Sequence, residues 1–239
     1  MRIRPLAHAL LLSLAFAATP ALAEENVDKT FGGITAEAGK EYGSLETVNG
    51  GITIREDASV RKAETVNGGI TVGENAWVGR AETVNGGIKL ADGARAGDIE
   101  TVNGGIRLGR GAQVEDDIEL VNGGVRIGDE ASVGGDVGNV NGAISIGEAE
   151  IGGSVTTTNG DVTLEGGTIR GNLRVEKPTG WSWGRKRLPR VVIGAGSVVE
   201  GELIFEHEVE LYVHPDAKVG RQSGVSPRMI DSPDAPRAD

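Results

Sequence analysis

The chain has 239 residues, a net charge of −11, no cysteine and only 3 % aromatic side chains. A disulfide framework and a large aromatic core are excluded, and the acidity argues against nucleic acid or anionic lipid recognised by overall charge. Glycine numbers 39 without recurring at every third position, which excludes collagen.

Residues 1–23 read as an export signal. Arg2 and Arg4 supply the positive start, an apolar stretch runs from Leu6 to Ala18, and Ala21-Leu22-Ala23 offers a small-residue cleavage site. The stretch is short of the roughly 20 apolar residues of a membrane span. Cleavage near Ala23 leaves 216 residues and, because the signal carries two arginines and no acid, a charge of −13. The expected location is the periplasm or the exterior.

A repeat follows. Asn-Gly returns at Asn49, Asn67, Asn85, Asn103, Asn122, Asn141 and Asn159, at steps of 18 or 19 residues. The surrounding words are ETVNGGI four times, then ELVNGGV, GNVNGAI and TTTNGDV. A fixed short period means stacked units. In the coil from Glu64 to Ala81, Ile70 and Val72 alternate with Thr71, Ala76 and Val78 with Trp77, and Ala81 and Thr83 with Glu82. Three short strands with period-2 alternation, separated by Gly- and Asn-rich turns, predict a triangular coil. Helix is excluded by glycine recurring through every coil, at about 1 kcal/mol each. The predicted fold is therefore all-β: a single-stranded right-handed parallel β-helix (β-solenoid) over residues 24–221, with nine or ten coils of 18–19 residues. Right-handedness follows the usual bias of parallel crossovers.

Like should stack on like. One inward column is Ile52, Ile70, Ile88, Ile106, Val125, Ile144 and Val162; a second runs from Ile54 to Leu164; a third holds Ala58, Ala76, Ala94, Ala112 and Ala131. The asparagines should stand at one corner, linked as an amide ladder, with Asn and Gly supplying left-handed backbone. An inward phase for Glu46, Glu64, Glu82, Glu100 and Glu119 would stack buried carboxylates, so Ala63, Ala81, Ile99 and Ile118 are placed inward instead. The valine before each Asn then sits at the corner, half in. Lys62 and Arg80 stand where they can offset the glutamate row.

The repeat breaks at 174–190, RVEKPTGWSWGRKRLPR. Trp181 and Trp183 share a face of an extended strand, beside Arg185, Lys186 and Arg187. Such a group could grip a glycan, a lipid headgroup or a phosphate; the alternative is a loop covering the solenoid wall. The coil returns at Arg190. In LIFEHEVELYVH, Phe205 and Tyr212 suit a terminal rung, and Glu206, Glu208, Glu210 and His214 alternate as an acidic edge or, less readily, a metal face. Residues 222–239 read as a disordered tail.

The T-V-N-G-x-I words resemble the adhesin-type β-strand repeat family of bacteria. The 18-residue coil and the closing IGAGSVVEGEL are similar to bactofilins, the polymer-forming bacterial β-helices. The resemblance spans roughly residues 28–220. It implies a structural or interaction protein and no catalytic residues, although the export signal departs from bactofilins. The expected function is thus a non-enzymatic rod of the cell envelope with no cofactor or metal. Its partner would be a glycan, lipopolysaccharide or protein, or a second copy. Two alternatives remain: a glycan-binding module using 177–190, and a β-helix carbohydrate-active enzyme or acyltransferase. Acyltransferases of this shape rely on a histidine, and only His207 and His214 follow the signal.

Overall fold

The computed structural model describes residues 25–178 and 187–235. Every strand runs parallel to its neighbours in a β-solenoid of eleven coils. The first wall is an 11-stranded sheet that begins Ile34–Ala36, Ile52–Ile54, Ile70–Val72, Ile88–Leu90 and ends at Arg228–Met229. The other two walls form one 17-stranded sheet. Stacking is in register, with Ile70 between Ile52 and Ile88, and Thr71 beside Thr53 and Lys89.

The period explains the core. On the first wall the flanking residues point in and the middle one points out, so Ile88 is 1 % exposed and Thr71 is exposed. The three apolar columns named above are buried throughout, as are Ala63, Ala81, Ile99 and Ile118. Branched side chains facing alanine fill a narrow interior without aromatics, which is why the aromatic content is low.

The corner beside the Asn column keeps the expected phase, with the valines part exposed and the residue before them inward. Val48, Val66, Val84, Val121 and Val140 are 39–42 % exposed, and the residue before each of them is buried. In four coils that residue is threonine: Thr47, Thr65, Thr83 and Thr101 are all buried. Each hydroxyl donates to a glycine carbonyl of the preceding coil (Thr65 Oγ1 to Gly50 O, 2.8 Å; Thr83 Oγ1 to Gly68 O, 2.8 Å). A buried hydroxyl with a partner costs little. Leu120, Asn139, Thr157, Val175 and Phe205 continue this column, so Phe205 lies in the core and not on a terminal rung. Asn139 fits less well. Its amide donates to Gly123 O and Gly142 O, and its Oδ1 is buried without a hydrogen-bond partner among the described residues.

What differs from expectation is the reason for the glycines. None of the corner asparagines adopts positive φ; the non-glycine residues that do are Asp57, Asn75 and Glu130, on the corner after the first wall, in line with Gly39, Gly93 and Gly111. After each Asn, glycine is required by close approach, and at Gly104, Gly123 and Gly142 also by a positive φ. A Cβ at Gly86 would stand 2.0 Å from Gly68 O, and one at Gly68 equally close to Gly50 O. The second glycine is less constrained: a Cβ at Gly124 would lie 3.3 Å from Ala143 O, and the next coil carries Ala143 itself at that place. Gly86→Ala is expected to cost about 3 kcal/mol, because the obstacle is backbone. Gly124→Ala should cost under about 1 kcal/mol. Urea denaturation of the two variants checks this.

Coil geometry changes midway. In Glu41–Asn49, Ser59–Asn67, Trp77–Asn85 and Arg95–Asn103 the second and third walls are one bent nine-residue strand. The next coil inserts a residue at Glu115-Asp116-Asp117, and the strand splits into Gln113–Val114 and Ile118–Asn122. From here the corner has its own side-chain ladder. Asp117 Oδ1 accepts from Asp136 N, Asp136 Oδ1 from Ser154 N, Ser154 Oγ from Asn172 N, and Asn172 Oδ1 from Glu202 N.

The solenoid also runs further than the sequence places it. Gln222–Gly224 pairs with Leu203–Phe205, and Arg228–Met229 with the strand Glu210–Val213, so part of the expected tail forms a further coil. There the fold buries an ion pair. Arg190 and Glu210 are register neighbours with side chains 9 % and 3 % exposed. Arg190 donates to Glu210 Oε2 through Nε (2.9 Å) and Nη2 (2.7 Å), and to Pro233 O through Nη1 (2.9 Å). Glu210 therefore faces away from Glu206 and Glu208, which are exposed.

Candidate functional site

Each wall turns one column of side chains outward, and these columns are the candidate functional surface. At the Asn corner, Asn67 Nδ2 donates to Asn49 Oδ1 at 3.0 Å, and the chain of amides continues through Asn85, Asn103, Asn122, Asn141 and Asn159 at 2.9–3.1 Å. The ladder engages one N–H and one oxygen lone pair of each amide within it, which ties the coils together along the corner.

Beside it lies the glutamate row, with the valines as its far bank, around an open groove of about 520 Å³. Neighbouring exposed charges at strand spacing repel by about 0.9 kcal/mol in water. The row meets this internally. Lys62 Nζ lies 2.7 Å from Glu64 and 3.8 Å from Glu46. Arg80 pairs with Glu82 and reaches Glu100 at 3.7 Å. The hydrogen bonds to Glu64 and Glu82 raise the pKa values of Lys62 and Arg80 above their ordinary values. Among the described residues no group of His, Asp and Glu could hold a metal ion.

The first wall carries the opposite sign. Its outward column reads Thr35, Thr53, Thr71, Lys89, Arg107, Arg126, Ser145 and Thr163. Lys89, Arg107 and Arg126 are exposed and stacked directly on one another. None has an ion-pair partner among the described residues. They line a groove of about 430 Å³ whose other bank is Gly87, Gly105, Gly124 and Ala143. This cationic row was missed from the sequence. Its signal is the middle letter of IKL, IRL and VRI, visible only once the coils are aligned.

Of the loop residues singled out from the sequence, Trp181, Trp183, Arg185 and Lys186 lie outside the described residues. Arg187 is ion-paired with Asp161, and Lys177 N donates to Glu206 Oε2 at 3.2 Å. That backbone donor and Arg174 hold the Glu206 carboxyl below the usual carboxylate range. His214 Nδ1 accepts from Asp216 N. Glu206, Glu210 and His214 thus serve separate local contacts and form no common face. Comparison with protein-family models, curated proteins and solved structures yields no match. The class of protein is defined by the fold: a parallel β-solenoid.

Proposed function

We propose that this chain is an exported, non-catalytic rod of the bacterial cell envelope, an adhesin-like or polymer-forming β-solenoid that binds an extended partner or a second copy. The observation that carries the reading is the repetition of its outer surface. Glu46, Glu64, Glu82 and Glu100 stand side by side, as do Asn49 to Asn159 and the corner valines. A surface that repeats at strand spacing suits a partner lying along the axis. Catalysis needs unlike groups converging on one point, and these columns offer like groups in lines. The export signal read in residues 1–23 and the resemblance of the Asn-Gly words to adhesin-type repeats support the envelope location.

A copy tagged at its C-terminus and expressed in an exporting bacterium is expected in the envelope fraction, beginning at Glu24, and cross-linked to an envelope component or to itself. Recovery in the cytoplasm with Met1 retained, or as a monomer without a cross-linked neighbour, would sink the reading.

A further inference from the structure

The chain is acidic, yet a line of three cations with no ion-pair partner among the described residues stands in register on a flat wall. We infer that Lys89, Arg107 and Arg126, with the glycine bank beside them, form a binding groove for an acidic polysaccharide laid along the solenoid axis.

The fold does not ask for cations here. The same column is filled by Thr53 and Thr71 on one side and Ser145 and Thr163 on the other, with the inward neighbours buried in every case. Three consecutive like charges at strand spacing are a repulsive arrangement. On the glutamate row, where such repulsion also arises, the chain supplies Lys62 and Arg80 as counter-charges. On the first wall it supplies none among the described residues, so the counter-charge comes from outside.

A second observation points the same way. The amides of Gly87, Gly105 and Gly124 donate to no acceptor among the described residues, whereas the amides on either side are paired (Gly86 N to Asn103 O, 2.8 Å; Ile88 N to Gly105 O, 3.0 Å). These three glycines are exposed and line the same groove as the cations. Beside each cation there is thus a backbone donor and no Cβ to keep a ligand away. Arginine adds planar, two-pronged donation to carboxylate or phosphoryl oxygens. The repeat of donors every coil, roughly 4.8 Å, selects a linear polymer with regularly spaced anions over a single ion.

The lining chemistry favours a glycan over single-stranded nucleic acid. Bases stack on aromatic side chains, and the groove is lined by Gly, Ala, Ile, Val, Thr, Ser and the three cations. This inference concerns a surface and does not depend on the compartment, so it stands or fails separately from the envelope reading.

The test uses the purified full chain and four probes: polygalacturonate, a phosphomannan, neutral dextran and a single-stranded oligonucleotide. Binding is measured by calorimetry at low and at 0.5 M salt. The variant Lys89→Thr/Arg107→Thr/Arg126→Ser takes residue types that the column already uses in neighbouring coils. The control Lys40→Ser/Lys218→Ser/Arg228→Ser removes the same charge from other exposed positions. Expected are binding of one or both acidic glycans, weakened by salt, at least a tenfold loss in the groove variant, and less than a twofold loss in the control. Carboxylate and phosphoryl recognition are told apart by which glycan binds. The single variant Arg107→Thr, removing only the middle cation, should lose at least threefold and guards against misfolding of the triple variant. Binding of neither acidic glycan overturns the inference. So do equal losses in variant and control, equal binding of dextran, or tighter binding of the oligonucleotide.

Discussion

Ile88→Asp is expected to unfold the solenoid around its coil, while Thr71→Asp leaves it intact. Ile88 sits between Ile70 and Ile106 in a column where every member is buried, and it is itself 1 % exposed. A carboxylate there has no donor to accept from, and its neighbours above and below are hydrocarbon. The cost is about 5 kcal/mol or more, since burial of an unpaired charge adds to the loss of a well-packed side chain. That is comparable to the whole stability of many domains. Thr71 is one residue round the coil from Ile70 and points to solvent. Its replacement places an acid next to Lys89 in register and should change stability by no more than about 0.5 kcal/mol. Circular dichroism melts and limited proteolysis read the difference. Equal shifts for the two variants would show the inward assignment to be wrong.

Glu210→Ala is the second large effect. It leaves the Arg190 guanidinium nine-tenths buried with the Pro233 carbonyl as its remaining partner among the described residues. Breaking a buried pair by removing one member typically costs 3–5 kcal/mol. The double variant Arg190→Met/Glu210→Leu removes both charges and keeps the volume, so it should be near neutral or even stabilising by about 1–2 kcal/mol. A further expectation separates the pair from its coil. Because Pro233 closes over Arg190, Glu210→Ala should expose residues 225–235 to protease before the Asn-ladder coils open, as solenoids unravel from weak ends. Simultaneous loss of both regions in hydrogen exchange would refute that local view.

Much of the fold was legible. The spacing from Asn49 to Asn159 by itself implies stacked coils, because chain segments with one repeat length and one alternation must superpose. The choice of Ala63 and Ile99 over Glu64 and Glu100 for the interior followed from desolvation alone, and the buried alanines and isoleucines agree with it. The offset of the glutamate row by Lys62 and Arg80 was also readable, since partners two residues apart share an outward face.

Other features were illegible for stated reasons. Strand alternation placed Thr83 inward with Ala81, but the partner its hydroxyl would find there was not readable. Only the nearby Gly50 and Gly68 carbonyls make a buried hydroxyl acceptable. The glycine after each Asn looked like a conformational requirement alone, which holds at Gly104, Gly123 and Gly142, but a carbonyl of another coil constrains it as well. The cation row of Lys89, Arg107 and Arg126 was hidden because each residue, seen alone, is an ordinary solvated charge. Only alignment of three coils makes it a line.

Sequence by itself thus determined the period, the strand alternation and the residues that form the apolar columns, since these depend on local pattern repeated along one chain. Tertiary structure decided how the corners close, which polar groups can enter the core, and that Arg190 meets Glu210 and Pro233. It also decided which surface charges are neutralised within the molecule and which are left to face outward. Those outcomes depend on distances between coils, and a distance across coils is set by the path of the backbone at the corners, where inserted residues and close carbonyl contacts override the repeat.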